Sequence, residues 1–83
     1  MAILNYLEQE LVARLDVESD VTFVFRKSDL SRRVAHGTRN LQYVPLCQWP
    51  KHREPPPNSV ITYYDLDRKA WRSLRIGSLL EIR

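Results

Sequence analysis

The sequence predicts a small all-β domain: five short strands preceded by one α-helix. Three observations carry that expectation. Apolar residues recur at three- and four-residue spacings over residues 2–15, and from Val21 onward the repeat changes to every second residue. The later runs are rich in valine, phenylalanine and tyrosine, types that suit a pleated, half-buried surface. Clusters of Ser, Asp, Gly and Pro separate the runs at short intervals. A chain of 83 residues makes one domain. At that length only about three-fifths of the unfolded surface is buried, too little core to house a deep cleft easily.

The elements follow in order. Ile3, Leu4, Leu7, Leu11 and Leu15 form one helical stripe, with Asn5, Glu8, Gln9 and Arg14 turned away from it, so a helix is expected over 1–16. Its apolar face must pack on the β part or on another subunit. Val21, Phe23 and Phe25 alternate with Thr22, Val24 and Arg26 as a first strand. A loop of about five residues, Lys27 to Ser31, then leads into a second strand over Arg32–His36. Gly37, directly after it, is expected to supply a positive φ or a kink. The first hairpin region thus spans 20–44, with Leu41, Tyr43 and Val44 continuing toward the core.

Residues 45–59 read as a long connection without secondary structure, held extended by Pro45, Pro50 and the run Pro55-Pro56-Pro57. Connections of this length are usually functional or mobile, and Trp49, Lys51, His52 and Arg53 are placed to touch a ligand. The second hairpin, Val60–Tyr64 with Ala70–Arg75, turns at Asp65-Leu66-Asp67-Arg68-Lys69. Gly77-Ser78 breaks the chain before a last strand over Leu79–Ile82, completing a single domain over 1–83.

The formal charge of +3 is unevenly spread: residues 1–20 carry −4, leaving +7 for residues 21–83. The β part is therefore the basic part, suited to polyanions. Cys47 is the only cysteine, which excludes an internal disulfide and fits the cytoplasm. It is expected to fill a small apolar gap. The first 15 residues lack the basic and apolar blocks of a signal peptide, and no run reaches the roughly 20 apolar residues of a membrane span.

Chemistry is sparse. No Gly-x-Ser-x-Gly elbow, phosphate loop or His-Glu-x-x-His occurs, so catalysis is not expected. His36, Cys47 and His52 match no zinc spacing, and neither a metal nor a cofactor is expected. The informative stretch is the second hairpin. Along Ala70–Ile76, alternation puts Trp71, Ser73 and Arg75 on one face, with Arg72, Leu74 and Ile76 on the other. An indole offers a stacking surface and a guanidinium holds a phosphate bidentately, so Trp71 with Arg75 suits a nucleotide. The alternative is that Trp71 packs beneath the helix, as buried tryptophans commonly do in small cores. Arg72 is expected at the margin, reaching solvent or pairing with Asp65 or Asp67. Tyr63 and Tyr64 face opposite ways, so at most one joins such a surface. Arg26, Lys27, Arg32, Arg33 and Arg39 would attract phosphate at a rim, and Tyr43 or Tyr64 would assist Trp71 in stacking.

A helix followed by five short strands is the order of the Sm-like branch of SH3-type barrels. The chain resembles the small Sm-like SH3 β-barrel proteins related to WYL domains, found in bacteria and their phages. The resemblance rests on Val21-Thr22-Phe23 with Lys27 and Asp29, Arg33-Val34-Ala35, Gly37-Thr38, Asn40-Leu41, Val44-Pro45, Tyr63-Tyr64-Asp65-Leu66, and above all Ala70-Trp71-Arg72-Ser73-Leu74-Arg75-Ile76 before Ser78-Leu79. Leu30 stands where such proteins commonly have a turn glycine, and Leu74 where they commonly have phenylalanine. The resemblance implies a five-stranded Sm-like SH3 barrel and, by analogy with nucleotide-sensing WYL domains and RNA-binding Sm barrels, a nucleic-acid or nucleotide ligand. The expected function is non-catalytic binding of single-stranded nucleic acid or a small nucleotide. The alternative is a protein-interaction module, self-assembling or docking on a heterologous partner, and no membrane partner is expected.

Overall fold

The structure is a computed structural model and describes residues 4–50 and 60–83. Ile3, Lys51, His52, Arg53 and the triple proline lie outside the described residues. The element order is α1 (Tyr6–Val17), β1 (Val21–Arg26), β2 (Arg32–Thr38), two 3-10 turns (Leu41–Tyr43 and Leu46–Gln48), β3 (Val60–Asp65), β4 (Ala70–Arg75) and β5 (Leu79–Ile82). The expected all-β class with one N-terminal helix is what forms.

The helix begins at an Asn-x-x-Glu box. Asn5 Oδ1 accepts the Glu8 amide at 2.8 Å, and the Glu8 carboxylate accepts the Asn5 amide at 3.0 Å, satisfying two donors that a helix start leaves free. Glu8 corrects the sequence reading: it is buried rather than turned to solvent, because its other oxygen accepts the Gly77 N–H at 2.5 Å. A buried carboxylate is tolerated where donors surround it.

All five strands form one antiparallel sheet in the order β4-β3-β2-β1-β5. β2 pairs with β1 along its length but with β3 only at Gly37↔Asp65 and Thr38↔Tyr64, so the sheet turns its corner at the end of β2. Gly37 serves this corner differently from the expectation: it lies within β2 and its φ is not positive. A Cβ there would stand 2.6 Å from the Tyr63 ring and 3.1 Å from the Tyr64 carbonyl, so close approach requires the glycine. Leu11 and Leu15 of α1 join Val21, Phe23, Phe25, Ala35, Ile61, Tyr63, Leu74 and Leu79 in one core. Helix α1 closes the core by packing on β2 and β5. Its end is tied down where Thr38 Oγ1 donates to the Glu18 carbonyl at 2.7 Å and the Arg39 amide to the Leu15 carbonyl at 2.6 Å.

The Tyr63 ring meets Phe23 edge-on at 5.0 Å in this core. Burial raises the Tyr63 pKa, and the nearby Asp65 charge adds to the rise. The neutral phenol is thus the form the fold accepts. Its contribution is complete below the unfolded value near 10 and is lost as pH rises through the higher folded value. Melting temperatures should therefore fall above about pH 10, and Tyr63→Phe should flatten that fall in a thermal-denaturation series.

The segment after β2 reaches β4, where the Gln48 carbonyl accepts the Trp71 indole N–H and the Gln48 side-chain amide donates to the Lys69 carbonyl. Val44 is buried, whereas Tyr43 is half exposed and Leu41 only partly covered. Cys47 is exposed and fills no apolar gap. The Trp49 indole N–H donates to the carbonyls of Leu41 and Val44, at 3.1 and 2.9 Å, and so folds its own segment. No helix is long and apolar enough to cross a membrane among the described residues.

Candidate functional site

Two turns meet beside the core and leave a groove between them. The first is the β1–β2 loop, closed by Lys27 N–H to the Ser31 carbonyl at 2.8 Å and by Asp29, whose carboxylate accepts both the Ser31 amide and hydroxyl. Those two bonds lower the Asp29 pKa. The second is the β4–β5 turn, where Gly77 has φ 94 and Ser78 returns its amide to the Arg75 carbonyl at 3.0 Å. The Arg26 amide donates to the Ser78 carbonyl at 2.9 Å, stitching the two turns together.

The groove has two adjoining parts of about 370 and 250 Å³, which share Arg26, Lys27, Ser28 and Arg75. The larger is completed by Leu30, Ile76 and Leu80, the smaller by Arg33, Arg72 and Ser73 over the Tyr63 ring. Among the described residues, no acidic side chain lines either part. Among the described residues, Arg26, Lys27, Arg72 and Arg75 enter no ion pair. Arg26 stands directly opposite Arg32 across the β1–β2 ladder, an arrangement of like charges that costs stability and raises the local potential.

Of the residues expected at a ligand face, the fold brings Arg26, Lys27, Arg72 and Arg75 together, although they are far apart in sequence. Arg32 is exposed at the neighbouring strand end. Arg33 reaches the groove wall but does not offer a free charge: its guanidinium bridges the buried Asp65 at 2.8 Å. Arg72, expected to reach solvent or to pair with Asp65 or Asp67, is exposed and has no ion pair among the described residues, because Arg33 holds Asp65, whose second oxygen caps the Asp67 and Arg68 amides at 2.9 Å. Arg39 is withdrawn to the helix side, 3.2 Å from Asp16.

The aromatic side chains expected at the ligand face do not join the groove. Trp71 and Arg75 share a strand face but lie four residues apart, about 13 Å along an extended chain, and Trp71 does not line the groove. Nor does Trp71 pack under the helix. It covers Tyr64 edge-on at 5.5 Å, and its N–H donates to the Gln48 carbonyl at 2.6 Å. Tyr64 is thereby 2 % exposed and presents no open ring to a base. Tyr43 is exposed, but in a 3-10 turn rather than at the groove.

Sequence reasoning missed Ser28, Leu30, Ile76, Gly77, Ser78 and Leu80 as groove residues. Leu30 alone left a readable mark, as a leucine in a turn where glycine is the easier choice. The arrangement combines cationic side chains that can hold an anion with the apolar side chains of Leu30, Ile76 and Leu80 in one groove.

No curated protein and no solved structure matches the chain. Residues 8–80 match the family model described as WYL_2, Sm-like SH3 beta-barrel fold, in agreement with the helix, the five-stranded order and the sharply turned β2: the chain belongs to this family.

Proposed function

We propose that the protein binds a phosphate-bearing ligand, single-stranded nucleic acid or a nucleotide, non-covalently in the groove between the β1–β2 and β4–β5 turns. The observation that carries this reading is the convergence of Arg26, Lys27, Arg72 and Arg75 on one depression that, among the described residues, no carboxylate lines. Guanidinium groups hold phosphate oxygens in pairs, and binding of this kind reads charge rather than base sequence. Binding of this kind involves no bond-making step. The lone cysteine is compatible with a reducing cytoplasm.

Mixed-sequence single strands followed by fluorescence anisotropy test it. Four phosphate contacts predict that affinity falls roughly 50-fold between 50 and 200 mM salt. Arg26→Ala and Arg75→Ala should each weaken binding and lower the log–log salt slope by about 0.7. Binding that ignores salt, or that survives both substitutions unchanged, would refute the reading.

A second reading, a protein-interaction module, is favoured by the exposed Tyr43, Leu46 and Trp49 side chains of the segment after β2. Light scattering over a concentration series tests its self-assembling form.

A further inference from the structure

The groove's apolar side is built by two departures from regular backbone. Leu30 adopts φ 72, the left-handed region that leucine avoids, yet its side chain is 75 % exposed and lines the groove. The fold gains no core contact from it, and glycine would relieve the strain at the same position. Strain retained with no packing return points to a function for the side chain. Independently, the β1–β5 ladder slips between Val24 and Phe25: Glu81 faces Val24 and Leu79 faces Phe25, leaving Leu80 as the extra residue of a bulge. Leu80 is exposed and lines the same part of the groove, together with Ile76, Arg26, Lys27 and Arg75.

A groove needing only to hold free phosphate would have no use for this apolar side. We infer that Leu30 and Leu80 form a platform for the base of the ligand, so that the site takes a nucleotide unit, base on the leucines and phosphate on Arg26 and Arg75, in preference to an inorganic polyanion. This rests on the phosphate-binding reading above and adds the specificity element to it. Aliphatic side chains sandwich a base by area rather than by hydrogen bonding, so recognition is tolerant of base identity.

The test compares a short mixed-sequence oligonucleotide with inorganic tripolyphosphate, by calorimetry, on wild type, Leu30→Gly, Leu30→Asn and Arg26→Ala. Glycine and asparagine both accept the left-handed conformation, so both variants fold. Relief of strain should raise the melting temperature of Leu30→Gly by about 4–8 °C. Loss of the apolar contact should weaken oligonucleotide binding roughly fivefold in both Leu30 variants while leaving tripolyphosphate binding unchanged. Arg26→Ala should weaken both ligands. Equal oligonucleotide affinity in wild type and the Leu30 variants would overturn the platform and leave the phosphate site standing. Absence of an Arg26→Ala effect on either ligand would instead remove the phosphate site itself.

Discussion

Asp65→Ala should bring the domain close to unfolding at room temperature. The Asp65 carboxylate is wholly buried at the end of β3, next to the sheet corner at Gly37. One oxygen holds the Arg33 guanidinium, a side chain only 18 % exposed, at 2.8 Å. The other accepts the Asp67 and Arg68 amides, which shape the turn into β4. Removing the carboxylate leaves a largely covered cation without a counter-charge and two amides without an acceptor. Breaking a buried pair from one side costs about 3–5 kcal/mol, and small domains have only about 5–15 kcal/mol in total. The expected loss in melting temperature is roughly 15–30 °C. Asp65→Asn keeps the acceptor for the turn amides but not the charge, and should fall between wild type and alanine. A melting temperature of Asp65→Ala within a few degrees of wild type would show that Arg33 does not depend on this partner.

Glu8→Ala should have the next largest effect, and it links stability to the candidate site. Glu8 is one of the few charged side chains in the interior, and it accepts two backbone amides from opposite ends of the chain, Asn5 and Gly77. Charge-assisted bonds of this kind contribute about 1.5–3 kcal/mol each, so the substitution should cost about 3 kcal/mol. Gly77 is the left-handed hinge of the β4–β5 turn and part of the groove wall. The loss should therefore be felt locally as well: amide exchange at Gly77 and Ser78 should accelerate more than exchange in β1 or β3. Uniform acceleration across the sheet would mean that Glu8 acts only through global stability. Glu8→Gln retains a single carbonyl acceptor and should recover part of the loss.

The strands were readable because alternation is a local property. Val21, Phe23 and Phe25 had to share a face whichever sheet they joined, and that face is the core. Leu74 was legible for the same reason. Local pattern misled where a partner distant in sequence set the outcome. Glu8 resembles a solvated helix residue until the Gly77 amide arrives from 69 positions away. Gly37 resembles a turn glycine until the Tyr63 ring is laid against it. Trp71 and Arg75 sit together in the sequence, but the pleat carries them to opposite ends of β4, one under the 3-10 segment and the other in the groove.

The same distinction separates what the amino-acid order determined alone from what needed three dimensions. Periodicity and turn residues determined the helix, the five strands and the concentration of positive charge after residue 20, since each depends on neighbours a few positions apart. Which cations remain available was decided only by folding. Arg33 and Arg39 found carboxylates at Asp65 and Asp16, while Arg26, Lys27, Arg72 and Arg75 were gathered where two turns touch. Charge neutralisation and groove shape depend on contacts between residues far apart in sequence, and those exist only once the sheet has closed over its core.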